Sequence, residues 1–382
     1  METFIAIGSA HALYFSILII SKRKKDITDF TLAIFLFLFF LVFGVIYISF
    51  EWKLPDLQIF IWNISLLLAP VFYFYSVSLM SNQKKFKASW FLHFTPYILS
   101  IFILLDVLDH NSDAEIEKLL NTTILFKEFN ILYFFSFLDF IVIPVYLLLV
   151  LRLLRYHRNK VSNTFSNYKG RDLHWLKILI IGIFGIWIVI NYFLYFSSFT
   201  DEKSLMYGFG FATFFIFYIG YFGTKQTAIF TNVFLEKRLI NQPEITKNDD
   251  LIKESITTKK YNKSSLKDSD IELYHQKLTV YMEKEKPYLN NDLNLYDLAS
   301  SVEISTHNLS QLLNKKFNKS FYEYINSYRV DEFKKRVQKG DYKKFTILAI
   351  ALESGFNSKS SFNRIFKKAT KNTPLEFIKN NT

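Results

Sequence analysis

The sequence predicts an all-α protein made of two dissimilar parts, an apolar helical bundle and a polar helical domain. Apolar stretches of about 20 residues recur through residues 1–224, and that length crosses the hydrocarbon core of a bilayer. Through residues 271–382 apolar side chains recur instead at helical spacing, interrupted by short turns. The chain contains no cysteine, which excludes disulfide frameworks, cysteine-based zinc sites and thiol chemistry.

Seven apolar stretches account for most of residues 1–224. Each lacks the polar stripe that a helix lying on a soluble core would show. The stretches cover residues 4–20, 30–50, 57–80, 90–108, 129–151, 176–198 and 205–222. We therefore expect a seven-helix transmembrane bundle in the lipid bilayer, with six or eight spans as the alternatives. The first stretch should be retained rather than cleaved, because Glu2 replaces the basic leader of a signal peptide.

Basic residues in the loops predict the orientation of this bundle. The loops after the first, third and fifth stretches hold fourteen Lys and Arg, whereas the alternate loops hold four. Lys and Arg accumulate on the cytoplasmic side of membrane proteins. The amino terminus is therefore predicted outside and residue 225 onward in the cytoplasm, as in a multi-pass protein of the inner membrane.

One ionisable residue, Asp139, lies near the middle of the fifth apolar stretch. A carboxyl group at that depth is a candidate for binding a ligand or moving a proton. Hydrogen bonding to a neighbouring helix is the alternative, because polar side chains often tie membrane helices together.

The basic charge is concentrated in the polar part of the chain. From residue 225 onward there are 28 Lys and Arg against 19 Asp and Glu, and before it 18 against 15. This distribution favours a nucleic acid as the partner. Residues 225–270 are predicted to be a flexible cytoplasmic linker, because few of them are large and apolar. Residues 271–286 follow as a short helix that docks on the next domain, with self-association into a homodimer as the alternative.

Residues 293–317 have the pattern of a helix-turn-helix unit. Apolar residues at 295, 298, 299 and 302 share one helix face, a turn follows at 303–305, and Ser305 is a suitable N-cap for a second helix. In such a unit the second helix contacts base edges near its amino-terminal end. The residues predicted there are Thr306, His307, Ser310 and Gln311.

The same pattern returns in residues 345–368, with Ser358 as the N-cap of the second helix. Between the two units, residues 320–339 have the periodicity of a long linking helix. A rigid spacer of this kind can place two recognition helices in successive major grooves of double-stranded DNA. The second set of candidate base-contacting residues is Lys359, Ser360, Ser361 and Arg364.

Four lysines at equivalent ends of the two recognition helices are candidates for DNA phosphate contacts: Lys315, Lys316, Lys367 and Lys368. A solvated basic face is the alternative. Arg364 is the strongest candidate for base recognition, because a guanidinium group can donate to guanine O6 and N7 together.

Residues 287–379 resemble the DNA-binding domain of the AraC family of transcription regulators. The resemblance covers about a quarter of the chain and rests on Ile350-Ala351, Gly355-Phe356, Phe362, Arg364, Phe366-Lys367-Lys368 and Thr373-Pro374. It implies two helix-turn-helix units on adjacent major grooves, with base contacts from His307, Ser310, Gln311, Ser360, Ser361 and Arg364. One departure is Glu303, where the family often has glycine. Glutamate tolerates a left-handed backbone less well, so we expect weaker DNA binding by the first unit.

These observations together predict a membrane-bound, sequence-specific transcription regulator that senses an unidentified signal through its apolar helices. A transporter or channel with a gene-regulatory tail is the alternative, with Asp139 on its conduction path. An enzyme is disfavoured, because the seven histidines are scattered and no nucleophile, carboxylate pair or metal-ligand spacing stands out. No cofactor is implied.

Overall fold

A computed structural model describes residues 2–52, 55–80, 86–110, 131–168, 171–196, 202–225 and 268–380. Its regular secondary structure is helical throughout the described residues, which confirms the all-α class. The one β-type contact among them is an isolated antiparallel bridge between Phe165 and Asn294. The predicted linker at 225–270 lies almost wholly outside the described residues.

The chain divides into two compact units. The first contains Met1–Tyr156 and Leu173–Gln242, and the second contains His157–Asp172 and Pro243–Thr382. The second unit thus takes in a short internal segment that the sequence analysis had counted within residues 1–224.

Among the described residues, seven long helices form the first unit, and one of them extends into that internal segment. Each overlaps one of the predicted apolar stretches, and a short 3-10 helix, Ala88–Phe94, precedes the fourth. The helices are α1 (Glu2–Ile20), α2 (Ile27–Trp52), α3 (Pro55–Met80), α4 (Thr95–His110), α5 (Ile131–Thr164), α6 (His174–Phe196) and α7 (Glu202–Lys225).

Five segments among the described residues are long and apolar enough to cross a membrane, which is fewer than the seven spans predicted. They are Thr3–Ile20, Ile27–Ser49, Asn63–Met80, Ala88–Asp106 and Phe140–Thr164. A sixth apolar segment, His174–Val189, is shorter. The difference arises at α6 and α7, because the apolar stretch of each helix is only partly described.

Polar side chains join the helices of the first unit. Ser16 Oγ on α1 donates to the carbonyl oxygen of Ala33 on α2 at 3.0 Å. Thr213 Oγ1 on α7 donates to the carbonyl oxygen of Phe4 on α1, also at 3.0 Å. Such bonds commonly hold membrane helices together. Asp139 lies in α5, and its side chain falls outside the described residues.

Large apolar side chains cover much of the outside of the first unit. Ile17, Phe102 and Leu148 are examples, with 57%, 67% and 64% of their surfaces exposed. Soluble monomers rarely present apolar patches of that extent. The surface is typical of helices that contact lipid.

The described part of the second unit contains seven further helices, with 3-10 turns at Pro287–Leu289 and Asp341–Lys343. Their bounds are α8 (Asp268–Lys284), α9 (Leu295–Ser301), α10 (Thr306–Phe317), α11 (Phe321–Gln338), α12 (Ile347–Glu353), α13 (Lys359–Thr370) and α14 (Pro374–Asn380).

The second unit has two apolar cores, and α11 takes part in both. Phe321 and Ile325 pack in the first core with residues of α9 and α10, while Phe333 packs in the second with residues of α12 and α13. Leu278 and Met282 of α8 are fully buried in the first core, so α8 docks on this domain as the sequence predicted. The long linking helix is thereby confirmed, and it holds one helix-turn-helix unit at each end.

Candidate DNA-binding interface

The two helix-turn-helix units repeat the same backbone design. In each, the residue that follows the turn donates its amide to a carbonyl in the first helix. Ile304 N donates to Ala299 O at 2.9 Å, and Phe356 N donates to Ala351 O at 3.2 Å. The recognition helices α10 and α13 both contain 12 residues.

Serine caps fix where both recognition helices begin. Ser305 Oγ accepts a hydrogen bond from Asn308 N at 3.1 Å, and Ser358 Oγ accepts one from Ser361 N at 3.3 Å. Each helix ends at a left-handed residue, Asn318 in the first unit and Lys371 in the second. The N-caps predicted from the sequence are therefore confirmed, and with them the face that each recognition helix exposes.

The turn residues of the two units both adopt a left-handed backbone, with a φ of +56° at Glu303 and +93° at Gly355. Glycine is required at the second position, because a Cβ atom on Gly355 would lie 2.2 Å from the carbonyl oxygen of Tyr288. The first turn carries the strain that the sequence comparison with the AraC family implied, since left-handed geometry is unfavourable for a side chain such as glutamate.

The candidate base-contacting residues lie on the outer faces of α10 and α13. Thr306, His307, Lys359, Ser360 and Arg364 are exposed, and Ser310, Gln311 and Ser361 are half-buried. Within the first unit, His307 Nε2 and Gln311 Nε2 are 2.7 Å apart, so these two side chains form one polar cluster. Their contacts with DNA remain predictions.

Two of the four candidate phosphate-contacting lysines form ion pairs within the protein. Lys316 Nζ lies 2.9 Å from Glu272 Oε2, and Lys368 Nζ lies 3.0 Å from Glu323 Oε1. The hydrogen bond from each lysine lowers the pKa of its glutamate partner. Within the described part of the chain, Lys315 and Lys367 form no ion pair, and all four lysines are exposed.

Arg364 is held against the linking helix. Its Nη2 donates to the phenol oxygen of Tyr322 at 3.0 Å, and its Cζ lies 5.9 Å from the centre of the Tyr168 ring. Tyr322 belongs to α11, whereas Tyr168 comes from the internal segment His157–Asp172. The strongest candidate for base recognition is thus engaged by two tyrosines in this structure.

A buried arginine, Arg329, lies at the junction between the two helix-turn-helix units, and only 1% of its surface is exposed. Its Nε donates to Tyr288 O and its Nη2 to Asn290 O, both at 2.8 Å. The same guanidinium donates to Ser166 O at 3.1 Å and Ser166 Oγ at 3.0 Å. Burial lowers the pKa of Arg329 to about 10, so the group stays charged at neutral pH.

The sequence analysis missed Arg329, although a signal for it existed. The residue lies in an apolar stripe of α11 that includes Ile325 four residues before it and Phe333 four residues after it. A charged residue at such a position is rarely buried without partners. That pattern could have predicted a buried polar junction, but not the partners that form it.

The described residues contain no group of three or more His, Asp or Glu side chains that could hold a metal ion.

Comparisons with known proteins concern the carboxyl-terminal part of the chain. Residues 298–380 match the family model described as a helix-turn-helix domain. An uncharacterised HTH-type transcriptional regulator of Staphylococcus aureus (strain COL) is 32% identical over 90 residues, which are 24% of this chain and 12% of that protein. PqrA, a probable transcription factor of Proteus vulgaris, is 43% identical over 60 residues, which are 16% of this chain and 47% of that protein. No solved structure matches the chain.

The matched region coincides with the repeated units seen in the structure. It begins in α9 and ends at the last residue of α14, so it contains both recognition helices and the linking helix. The chain covers only a small part of the staphylococcal relative, and the likeness therefore describes this domain and not the apolar helices. The carboxyl-terminal domain of this chain is an AraC-type helix-turn-helix domain of the kind found in transcription regulators.

Proposed function

We propose that this protein is a membrane-bound transcription regulator whose apolar helices sense a signal and change the affinity of the carboxyl-terminal domain for specific DNA sites. The observation that carries the proposal is the repeat of two recognition helices of equal length at the two ends of one rigid helix, α11. Paired recognition helices on a fixed spacer are suited to two successive major grooves.

The two recognition helices supply different base contacts in this proposal. Thr306, His307, Ser310 and Gln311 form the set on α10, and Lys359, Ser360, Ser361 and Arg364 form the set on α13. All eight lie in the amino-terminal half of their helix, and none of them is fully buried, which supports the assignment. Lys315, Lys316, Lys367 and Lys368 contact phosphates and fix the domain on the duplex without reading its sequence.

Two observations support attachment to the cytoplasmic membrane with the DNA-binding domain inside the cell. The first is the group of five apolar segments long enough to cross a bilayer. The second is that the segment His157–Asp172, which follows the fifth apolar stretch in a strongly basic loop, belongs to the same compact unit as the DNA-binding domain. A loop and a domain in one unit lie on the same side of the membrane.

The experiment that tests the function uses the full chain in lipid nanodiscs and a pool of random DNA duplexes. Repeated selection should enrich one sequence family with two half-sites spaced by about one helical turn, roughly 10 base pairs. Chromatin immunoprecipitation in the source cells should then recover sites of the same sequence. Failure of the nanodisc protein to enrich any sequence would contradict the proposal.

A matched variant identifies which contacts carry the selection. Arg364→Ala should relax the base preference at one position of one half-site and leave the other half-site unchanged, because the two sets of base-contacting residues are separate. Loss of both preferences would show that the second recognition helix had been given the wrong role.

A further inference from the structure

An extended segment of four residues, 165–168, which we call the docking segment, is seated on the DNA-binding domain. It directly follows α5 in the chain. Phe165 forms an antiparallel bridge with Asn294, and Ser166 N donates to Leu293 O at 3.2 Å. Asn167 Nδ2 donates to Asn291 O at 2.7 Å. Pairing of a short extended segment with the backbone of another domain is a common form of peptide recognition.

The docking segment completes a polar site that is buried in the docked state. Ser166 accepts hydrogen bonds from the Arg329 guanidinium through both its carbonyl and its hydroxyl oxygen. Asn326 Nδ2 donates to the same carbonyl at 3.1 Å. Phe165, Ser166 and Asn167 keep at most 4% of their surfaces exposed. A buried charge whose donors are filled by this segment makes the contact specific, because removal would leave those donors unpaired.

Contacts within the internal segment hold its shape. The guanidinium carbon of Arg171 lies 4.3 Å from the centre of the Phe165 ring, and Arg171 Nη1 donates to Asn167 Oδ1 at 3.1 Å. One ring nitrogen of His157 lies 2.9 Å from the carbonyl oxygen of Arg171. These internal contacts therefore hold the shape of the docking segment, in addition to its contacts with the DNA-binding domain.

The last residue of the docking segment reaches the candidate base-contacting arginine. The rings of Tyr168 and Tyr322 are stacked, with centroids 4.1 Å apart and planes 3° apart. The phenol oxygen of Tyr322 accepts the hydrogen bond from Arg364, whose guanidinium also lies near the Tyr168 ring. Burial raises the pKa of Tyr168, so this phenol is neutral under physiological conditions.

We propose that the docking segment is an intramolecular inhibitor of DNA binding. In the docked state Arg364 donates to Tyr322, whose ring is held by stacking on Tyr168, so Arg364 must break this contact before it can donate to guanine O6 and N7 together. Release of the segment removes the Tyr168 ring from Arg364 and from Tyr322, which makes that contact easier to break. The inference rests on the proposed function and adds its regulation.

The covalent position of the docking segment gives the apolar helices a way to control it. The segment is joined to α5 on one side and precedes α6 on the other. A signal that favours one arrangement of these helices would therefore favour the docked or the released state. A coupling of about tenfold in DNA affinity falls within the range usual for allosteric proteins.

The absence of cysteine from the chain allows a clean cross-linking experiment. Asn167 Nδ2 lies 3.0 Å from Asp292 Oδ1, so cysteines at these two positions are within reach of a short bis-methanethiosulfonate cross-linker when the docking segment is seated. The double variant Asn167→Cys/Asp292→Cys is prepared as the full chain in nanodiscs and treated with this reagent, whose bonds to both cysteines are cleaved by reduction. We expect the cross-linked protein to bind its selected duplex about tenfold more weakly than the same protein after reduction. Each single-cysteine variant is the control.

Substitution of the stacked tyrosine tests the same proposal in the opposite direction. Tyr168→Ala should bind the selected duplex about tenfold more tightly than the wild type, while Asn163→Ala, an exposed residue of α5, should leave affinity unchanged. The gain should disappear in an Arg364→Ala background, because the inhibition acts through that arginine.

Three outcomes would overturn the inhibitor: equal DNA binding by the cross-linked and the reduced double variant, no gain in Tyr168→Ala, or absence of the cross-link. Failure of the wild-type chain to bind any duplex would instead overturn the proposed function and the inhibitor with it. In that case a cross-link between the two cysteines would still establish docking, so the two failures are distinguishable.

Discussion

Lys368, in the last turn of the second recognition helix, is paired with Glu323 on the linking helix at 3.0 Å. In the first recognition helix Lys316, which also lies in the last turn, is paired with Glu272 of α8 at 2.9 Å. In both helix-turn-helix units, a lysine that is expected to contact a DNA phosphate is thus already paired with a glutamate from another helix. A phosphate that approaches either lysine therefore meets the negative charge of a carboxylate that is already paired with it.

Replacement of Glu323 should therefore strengthen DNA binding. Glu323→Gln removes the competing charge from Lys368 and keeps an oxygen that can accept the hydrogen bond from Ser320 N at the start of α11. We expect a gain of about 0.2–1 kcal/mol, the usual strength of an exposed ion pair. The slope of log affinity against log salt should become steeper by about 0.9, the value for one additional phosphate contact.

Titration of the selected duplex at several salt concentrations measures both quantities. Asp331→Asn is the matched control, because it removes one exposed carboxylate from the same helix without freeing Lys368. An equal gain in the control would mean that total charge alone is responsible.

Arg364→Ala should weaken binding to the selected duplex by about 1–3 kcal/mol and relax the preference at one base pair. The reason is that a guanidinium group donates hydrogen bonds to two acceptors of guanine, and alanine can donate neither of them. Competition assays with single-base variants of the duplex measure the preference. An equal loss on selected and random DNA would place Arg364 on the phosphate backbone instead.

The two turns should respond in opposite ways to substitution. Gly355→Ala introduces a Cβ atom 2.2 Å from Tyr288 O at a φ of +93°, so it should destabilise the second helix-turn-helix unit. Glu303→Gly should stabilise the first helix-turn-helix unit by about 1 kcal/mol, because glycine adopts the left-handed backbone without strain.

Hydrogen exchange of the full chain, resolved along the sequence, reports the free energy of opening for each unit. Faster exchange should be confined to α12 and α13 in Gly355→Ala, and slower exchange to α9 and α10 in Glu303→Gly. The same direction of change in both variants would contradict the role assigned to the turns.

Arg329→Met should destabilise the DNA-binding domain by about 1–3 kcal/mol, the usual cost of a buried acceptor left unpaired. That acceptor is the carbonyl oxygen of Tyr288. The other two acceptors keep a donor, because Asn290 O still accepts from Leu293 N and Ser166 O from Asn326 Nδ2. Lys335→Met, an exposed position on the same helix, should stay within about 0.5 kcal/mol of the wild type.

Arg329→Met should also release the docking segment, so the yield of the cross-link between cysteines at 167 and 292 should fall. An unchanged yield would show that the Ser166 contacts contribute nothing to docking.

Much of the recognition surface could be predicted from the sequence, because its signals are local. Ser305 and Ser358 marked the first turns of α10 and α13, and helical periodicity assigned the inward and outward residues of each. The left-handed turn at Glu303 was expected because the AraC family often has glycine there, and it is present in the structure. Length and hydropathy likewise identified the apolar helices, although seven spans were predicted and five segments qualify among the described residues.

The sequence by itself determined the all-α class, the apolar helices, the two helix-turn-helix units and the faces that they expose. Only the tertiary structure decided that Glu272 and Glu323 form ion pairs with two of the candidate lysines. It also decided that Arg329 is buried between the two helix-turn-helix units and that residues 165–168 dock beside Arg364. Ser166 and Arg329 are 163 positions apart in the chain. Periodicity and capping depend on neighbours within a few residues. They show which side of a helix is buried, but a partner so distant in sequence is selected only when the folded chain brings the two groups together.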